Sequence, residues 1–201
     1  MSKEALIVVD IQNDFLPGGA LAVNQGNEII PFVNVLMDRF DLVVATQDWH
    51  PADHGSFAAN HHGKKPGEII DLNGLTQIMW PVHCVQGSKG AEFAGSLNTF
   101  KFKKVFQKGT DAAIDSYSGL FDNGKRKSTG LGEYLKAEGV EKVTVVGLAA
   151  DYCVKFTALD AKEFGFEVVL PVAGTRAVNL RPGDFEKALK ELERAGVEVR
   201  R

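Results

Sequence analysis

The sequence predicts an α/β protein built as a three-layer open sheet of about six mainly parallel strands, with helices on both faces. Short β-branched runs that are apolar nearly throughout are typical of parallel strands covered on both sides. Helical patterns fall between most of these runs, and strand–helix alternation with short connections implies right-handed crossovers. The predicted strands are 5–10, 41–47, 104–107, 143–148, 167–172 and 197–200.

Four helical patterns separate the strands. Ser128 is a candidate N-cap for the second, Gly139 is its stop signal, and Asp151 is a candidate N-cap for the third. Pro31 must lie in the first turn of the first, because an interior proline would break that helix. The patterns cover about 27–40, 128–139, 151–165 and 185–196.

One long segment, 48–103, is rich in Gly, His, Pro and Asn and carries no clear strand or helix pattern. Insertions of this length in compact domains are usually functional. We therefore predict a single domain over 1–201 with a long insertion at about 48–103. Within it, 60–75 is compatible with an ordered lid or a mobile loop, since Gly63, Gly67 and Gly74 allow either.

Composition excludes several function classes. Hydrophobic residues make up 44% and charged residues 24%, which is close to the globular average. A formal net charge of −3 gives no basic patch for nucleic acid, and no apolar run reaches the length of a membrane span. Two cysteines far apart, with no signal-peptide pattern, favour a cytoplasmic protein.

Reactive side chains follow four of the predicted strands. Asp10, Asp48 and Lys108 stand at strand ends, and Cys153 comes just after the fourth strand. In open α/β sheets the ligand crevice lies beyond the carboxyl ends of the strands. Singly, each residue has an ordinary interpretation as a turn residue, a loop lysine or a buried cysteine. All of them at one edge indicate a site.

The stretch "GLAADYCVKFTALDA" places Cys153 near the second position of a helix, if Asp151 is the N-cap. The first-turn amides would favour a thiolate there. Asp10 could accept the thiol proton and return it to a leaving amine, while Lys108 would offset the charge of that carboxylate. Backbone N–H groups of the small-residue turn and of Cys153 could receive an oxyanion.

A second cluster of candidate residues lies in the insertion, which holds all five histidines. Asp48 and His50 are two apart in extended chain and so face the same way. With His83 they form a candidate site for zinc, iron or manganese. His54 is ambiguous, and His61 and His62 are expected in a solvated loop. Cys84 competes for either role but lacks the strand-to-helix context, so we interpret it as structural.

These motifs resemble a known family. The segments are "VVDIQNDFLPGGAL", "QDWHPADHGSF", "WPVHCVQG", "KGTD", "YSGLFDN" and "GLAADYCVKFTALDA". In order, from Asp10 to about Asn179, they resemble bacterial nicotinamidases, also called pyrazinamidases, of the isochorismatase-like cysteine hydrolases. The resemblance implies a Rossmann-like isochorismatase fold. It also implies hydrolysis of nicotinamide to nicotinate and ammonia through a cysteine thioester, in NAD salvage, with pyrazinamide as a further substrate.

The resemblance assigns roles to individual residues. Asp10, Lys108 and Cys153 match the family's catalytic triad, and the N–H groups of Ala149 and Cys153 match its oxyanion hole, with a cis peptide between Leu148 and Ala149. One divalent metal, zinc first and iron or manganese as alternatives, would bind the pyridine nitrogen of the substrate. Its matching ligands are Asp48, His50 and His83, with Ser56 at a fourth position that varies in the family.

Four aromatic residues, Phe15, Trp80, Tyr117 and Tyr152, match the family's ring-binding pocket. Ala150 departs from the pattern, where threonine is more usual, and leaves the triad intact. The expected partner is a small molecule, with no nucleic acid or membrane, and the residues are compatible with a monomer or a homo-oligomer. The alternative function is a related amidohydrolase acting on another small amide or carbamoyl substrate.

Overall fold

The computed structural model describes residues 3–201. These residues form nine β-strands and four α-helices. The strands are β1 (Lys3–Val9), β2 (Leu42–Asp48), β3 (Ile69–Leu72), β4 (Leu75–Ile78), β5 (Lys104–Lys108), β6 (Val140–Leu148), β7 (Glu167–Pro171), β8 (Thr175–Arg176) and β9 (Glu198–Arg200). The helices are α1 (Ile30–Met37), α2 (Leu131–Ala137), α3 (Cys153–Glu163) and α4 (Asp184–Arg194). All six predicted strands are confirmed, with ends within three residues of those expected.

The main sheet has the strand order β5-β2-β1-β6-β7-β9, and every neighbouring pair is parallel. The short strand β8 adds to the end of β6. Strands β2 and β5 lie on one side of β1, and β6, β7 and β9 lie on the other side. The strand order therefore reverses between β1 and β6, and a crevice opens at their carboxyl ends.

Helices cover both faces, which confirms the predicted three layers. Alternate residues of β1 point to opposite faces, and all five from Ala5 to Val9 are fully buried. Ala5, Ile7 and Val9 pack with α2, α3 and α4. Leu6 and Val8 pack on the other face, against α1 and the 84–97 segment.

At the crevice, Gly147 of β6 lets the backbone of β1 come very close. It has φ +121°, and a Cβ atom there would collide with the carbonyl oxygen of Val9 and lie 2.7 Å from its nitrogen. Only glycine combines that backbone conformation with that approach. Strands β1 and β6 therefore stay adjacent up to their carboxyl ends, where the predicted site lies.

Two predicted helix starts were wrong. The N-cap of α2 is Gly130, with φ +85°, and the Ser128 hydroxyl accepts from the Gly130 N–H instead. The N-cap of α3 is Tyr152, so Cys153 is the first helical residue rather than the second. The Asp151 carboxylate accepts from the N–H groups of Val178 and Asn179, each at 2.9 Å, because a distant loop offers it better-placed donors than its own helix.

The 48–103 segment contains more regular structure than its sequence indicates. Strands β3 and β4 form an antiparallel hairpin whose turn is Asn73-Gly74, with φ of +55° and +86°. Strand β3 and the turn lie within 60–75, for which an ordered lid was one of the two alternatives, and β4 extends beyond that segment to Ile78. No helix within residues 3–201 has the length and apolar character needed to cross a membrane.

Candidate active site

The structure brings together the four side chains predicted at the strand ends. Asp48 and Lys108 are paired residues at the ends of β2 and β5. The Lys108 Nζ lies 2.9 Å from Asp10 Oδ2, 2.5 Å from Asp48 Oδ1 and 3.5 Å from Cys153 Sγ. It also donates to the carbonyl of Ser116 at 2.8 Å. One ammonium group thus touches both carboxylates and the thiol.

The charges of this cluster depend on burial and on each other. Burial alone would lower the pKa of Lys108, but the carboxylates of Asp10 and Asp48 outweigh it and hold its pKa well above its usual value. Burial raises the pKa of Asp10, against the pull of Lys108. For Asp48, burial is outweighed by Lys108 and His50, so its pKa is lowered. Lys108 is therefore a fixed cation between two carboxyl groups.

Cys153 is 7% exposed, and its surroundings keep the thiol protonated at rest. Burial raises its pKa, Lys108 opposes that effect, and Asp10 and Asp48 add to it, with the result well above the usual value. Cysteine acts as a nucleophile only as the thiolate. The site therefore needs a base at the moment of reaction, and an Asp10 carboxylate oxygen lies within 4.8 Å of Sγ.

Asp48, His50 and His83 offer three ligand atoms that all lie within 4.8 Å of one another, and all three residues are buried. Asp48 Oδ2 is 3.5 Å from His50 Nε2 and 3.8 Å from His83 Nε2. Each imidazole bonds a backbone carbonyl through Nδ1: His50 to Gly109 and His83 to Pro81, both at 2.8 Å. A carbonyl only accepts, so Nδ1 carries the proton in the neutral ring and the Nε2 lone pair faces Asp48.

This donor set fits a divalent metal. One carboxylate oxygen and two imidazole nitrogens are ligands that zinc, iron and manganese accept. Burial and the neighbouring His50 lower the pKa of His83 to about 4, so its ring is neutral at neutral pH. The carbonyl bonds at Nδ1 are the outer contacts that orient metal-binding histidines.

Ser56 and His54 form a buried pair beside this group. The Ser56 hydroxyl lies 2.7 Å from His54 Nδ1, and His54 Nε2 has no hydrogen-bond partner among the described residues. Ligation by Ser56 stays a prediction. His62 is exposed, and the half-buried His61 bonds the carbonyl of Gly55 at 2.7 Å.

Cys84 is a free, fully buried cysteine outside the cluster that holds Cys153. Burial raises the pKa of its thiol, and nearby carboxylates raise it further. Its backbone N–H donates to the Asp14 carboxylate at 2.7 Å, and its carbonyl accepts from the His50 N–H at 3.0 Å. These contacts agree with a structural residue.

The four predicted aromatic residues line a single pocket that also contains Cys153 and His83. The Trp80 indole N–H donates to the Tyr117 hydroxyl at 3.1 Å, and Trp80 packs edge-on against Tyr152 with ring centroids 5.0 Å apart. Phe15 lies 5.6 Å from the ring of His83. The pocket is therefore lined by aromatic rings, with the thiol and an imidazole in its wall.

The turn before α3 presents two backbone donors. The Leu148–Ala149 peptide bond is cis, as the resemblance implies. In the described part of the chain, neither the Ala149 N–H nor the Cys153 N–H donates to a protein acceptor outside regular helix and strand bonds, whereas Ala150, Tyr152 and Val154 all do. Both residues line the pocket that contains the thiol, so their N–H groups are candidate donors to an oxyanion.

Sequence reasoning missed several supporting residues. Gln12 is fully buried and holds the Asp48 backbone through both its amide oxygen and nitrogen, each at 2.8 Å. Thr46 bonds Asp10, and Asp115 accepts from Gln77 at 2.9 Å in the pocket wall. For Thr46, the signal that could have identified it is its position as a polar residue inside the apolar strand "LVVATQD".

Comparison with known proteins assigns the chain to a family. The family model described as "Isochorismatase domain" matches residues 4–201. A nicotinamidase of Escherichia coli K12 is 46% identical over 200 residues, which cover 98% of this chain and 93% of that protein. A structure of an Acinetobacter baumanii nicotinamidase/pyrazinamidase has a TM-score of 0.96 at 44% identity, and covers 100% of this chain and 97% of its own.

Two further structures were solved with a ligand or metal. The yeast nicotinamidase bound to the inhibitor nicotinaldehyde has a TM-score of 0.92 at 33% identity, and the match covers 98% of this chain and 99% of that one. The Pyrococcus horikoshii pyrazinamidase in complex with zinc has a TM-score of 0.81 at 39% identity, with 98% of each chain covered. The chain therefore belongs to the isochorismatase family and, within it, to the group of nicotinamidases and pyrazinamidases.

Proposed function

We propose that the protein is a metal-dependent amidase that hydrolyses nicotinamide to nicotinate and ammonia. One observation carries this proposal: the Asp48 carboxylate joins two sites. Its Oδ1 bonds the lysine that touches the Cys153 thiol, and its Oδ2 faces the Nε2 atoms of His50 and His83. A small ring bound between them would present its amide carbon to sulfur and its nitrogen to the histidine side.

The first half of the reaction makes a thioester. Asp10 accepts the proton of the Cys153 thiol as sulfur attacks the amide carbon. The negative charge that develops on the amide oxygen is received by the N–H groups of Ala149 and Cys153. When the tetrahedral species collapses, Asp10 returns the proton to the leaving nitrogen, and ammonia departs.

The second half releases the acid. Asp10, again a carboxylate, takes a proton from a water molecule that attacks the thioester carbon. The same N–H groups receive the oxyanion, the carbon–sulfur bond breaks, and the proton returns to sulfur as nicotinic acid leaves and gives up its own proton to water as nicotinate forms. Throughout, Lys108 stays charged and offsets the carboxylates, because its pKa lies well above its usual value.

Asp48, His50 and His83 would hold the metal, with Ser56 as a candidate fourth contact. When bound, a divalent cation there supplies a Lewis acid that accepts the lone pair of the pyridine nitrogen. We propose zinc first, in keeping with the zinc complex of the Pyrococcus horikoshii relative, and iron or manganese as alternatives. Phe15, Trp80, Tyr117 and Tyr152 would hold the ring.

The same pocket would accept pyrazinamide, because a second ring nitrogen leaves the size and flatness of the ring unchanged. Both cysteines are free, which favours a reducing compartment and the proposed cytoplasmic role in NAD salvage. We further propose that residues 1–201 act as one domain, with the 48–103 insertion supplying His50, Ser56, Trp80 and His83. The proposed partner is a small molecule rather than nucleic acid or membrane.

The test is the release of ammonia and nicotinate from nicotinamide by purified, metal-loaded protein. Cys153→Ala should lower kcat by at least about a thousandfold, since no other nucleophile can form the thioester. Cys84→Ala is the matched control and should retain activity within about threefold. Hydrolysis that survives Cys153→Ala would rule out the proposed mechanism.

A further inference from the structure

Thr46 is a buried residue of β2 whose hydroxyl is directed at the proposed catalytic base. Its side chain is fully buried, and Oγ1 donates to Asp10 Oδ1 at 2.6 Å. The backbone of the same residue accepts from the Asp10 N–H at 3.3 Å. Asp10 has φ +48°, an uncommon conformation for a residue other than glycine. Thr46 therefore holds Asp10 at two points.

The direction of the Thr46 hydroxyl is fixed by packing. A Cβ atom on Gly119 would lie 2.6 Å from the Thr46 methyl group, so the methyl occupies space that the glycine leaves free. Because threonine is branched at Cβ, a fixed methyl also fixes the hydroxyl. Among residues 3–201, Asp10 is the only carboxylate that the hydroxyl bonds.

The hydrogen bond from Thr46 gives the two carboxylate oxygens of Asp10 different surroundings. Oδ1 is occupied by the Thr46 hydroxyl. Oδ2 lies 2.9 Å from Lys108 Nζ but, among the described residues, receives no hydrogen bond of proper geometry. Oδ2 is thus the oxygen that Thr46 leaves unoccupied, and it lies beside the ammonium group that contacts Cys153 Sγ.

We infer that Thr46 is a positioning residue of the proposed amidase reaction, whose hydroxyl orients Asp10 so that Oδ2 exchanges the proton of Cys153. The inference rests on the proposed function. The proton moves from Sγ to Oδ2 and then to the leaving nitrogen. Thr46 keeps its own proton throughout and acts only through Asp10.

Two pairs of variants separate the hydroxyl from the methyl group. Thr46→Val keeps the shape and removes the donor, whereas Thr46→Ser keeps the donor and removes the methyl. Because general-base catalysis contributes about 10²–10⁴-fold, kcat/KM for nicotinamide should fall at least about tenfold in Thr46→Val and stay within about threefold in Thr46→Ser. Thr46→Ala and Thr46→Ser differ only in the hydroxyl and should show the same gap if the valine variant does not fold.

If Thr46 were merely structural, the kcat/KM of each variant should follow its Tm, which falls with the lost methyl in Thr46→Ser and with the lost hydrogen bond in Thr46→Val. Metal affinity, measured by chelator competition, should be the same in all variants. Activity that follows Tm rather than the hydroxyl, or full activity in both Thr46→Val and Thr46→Ala, would overturn the inference.

A second readout does not depend on nicotinamide. Iodoacetamide should alkylate Cys153 of the metal-free protein at least about tenfold more slowly in Thr46→Val than in wild type, because the thiol loses its oriented base. The modified site is mapped by mass spectrometry. If wild type fails to hydrolyse nicotinamide but this difference is found, the proposed substrate is wrong and the role of Thr46 stands; equal alkylation rates would contradict that role.

Discussion

At the scale of single residues, the site depends on two side chains that each contact several of the others. Lys108 joins both carboxylates to the thiol, and Asp48 joins that lysine to the two histidines. A buried lysine is stable only because two carboxylates surround it. Lys108 and Asp48 therefore connect the nucleophile and the base to the candidate metal ligands through direct contacts.

Gly109 contacts the His50 ring closely, so a substitution at Gly109 should displace that ring. It has φ +62°, its carbonyl bonds His50 Nδ1, and a Cβ atom there would collide with the imidazole and lie 2.6 Å from that nitrogen. We expect Gly109→Ala to weaken metal binding at least about tenfold in chelator competition, as changes to contacts that orient metal ligands typically do, and to lower activity in parallel.

Gly63→Ala is the matched control, because Gly63 also has positive φ, +74°, but nothing lies within 4 Å of its added Cβ. Both variants carry the backbone cost of about 1 kcal/mol for alanine in that conformation. Only Gly109→Ala should lose metal affinity. An equal loss in both would show that backbone strain, rather than contact with His50, is responsible.

At the scale of elements, the sheet was predictable because its strands are apolar on both faces. The central strand β1 reads ALIVV over its five fully buried residues, a pattern with few alternatives. Helix starts were less predictable, because neither Ser128 nor Asp151 is the N-cap of its helix. The Ser128 hydroxyl accepts from the Gly130 N–H, and the Asp151 carboxylate accepts from a distant loop. The hairpin β3–β4 was missed although Asn73-Gly74 is a strong turn signal, because the surrounding segment is rich in loop residues.

Helix α4 should contribute stability without taking part in catalysis. It buries Leu189 and Leu192 against the sheet face that also carries α2 and α3. Truncation of Leu192 to alanine should lower the free energy of unfolding by about 2–5 kcal/mol, while kcat of the folded protein stays within about threefold. Denaturant unfolding and nicotinamide turnover measure the two effects.

Lys190→Ala is the control, since Lys190 is an exposed residue of the same helix. It should change the free energy of unfolding by less than about 0.5 kcal/mol. A Leu192→Ala protein that is as stable as the control would mean that α4 does not contribute to the core as the packing indicates.

At the scale of the whole molecule, the sheet topology collects residues that are far apart in sequence. Asp10, Asp48, Lys108 and Cys153 meet because parallel strands end at one edge and the strand order reverses between β1 and β6. That placement followed from the sequence alone. The support from Gln12, Thr46 and Asp115 did not, because a buried polar residue shows its partner only once the chain is folded.

The most direct test of the account compares nicotinamide with benzamide, which has the same size and amide but no ring nitrogen. Ammonia release is measured before chelation, after it, and after a single divalent metal is restored. We predict that nicotinamide turnover disappears on chelation and returns with metal, and that, with metal present, kcat/KM for benzamide is at least about a hundredfold lower than that for nicotinamide. Comparable turnover of the two amides, or nicotinamide turnover that survives complete chelation, would contradict a metal site that holds the pyridine ring over Cys153.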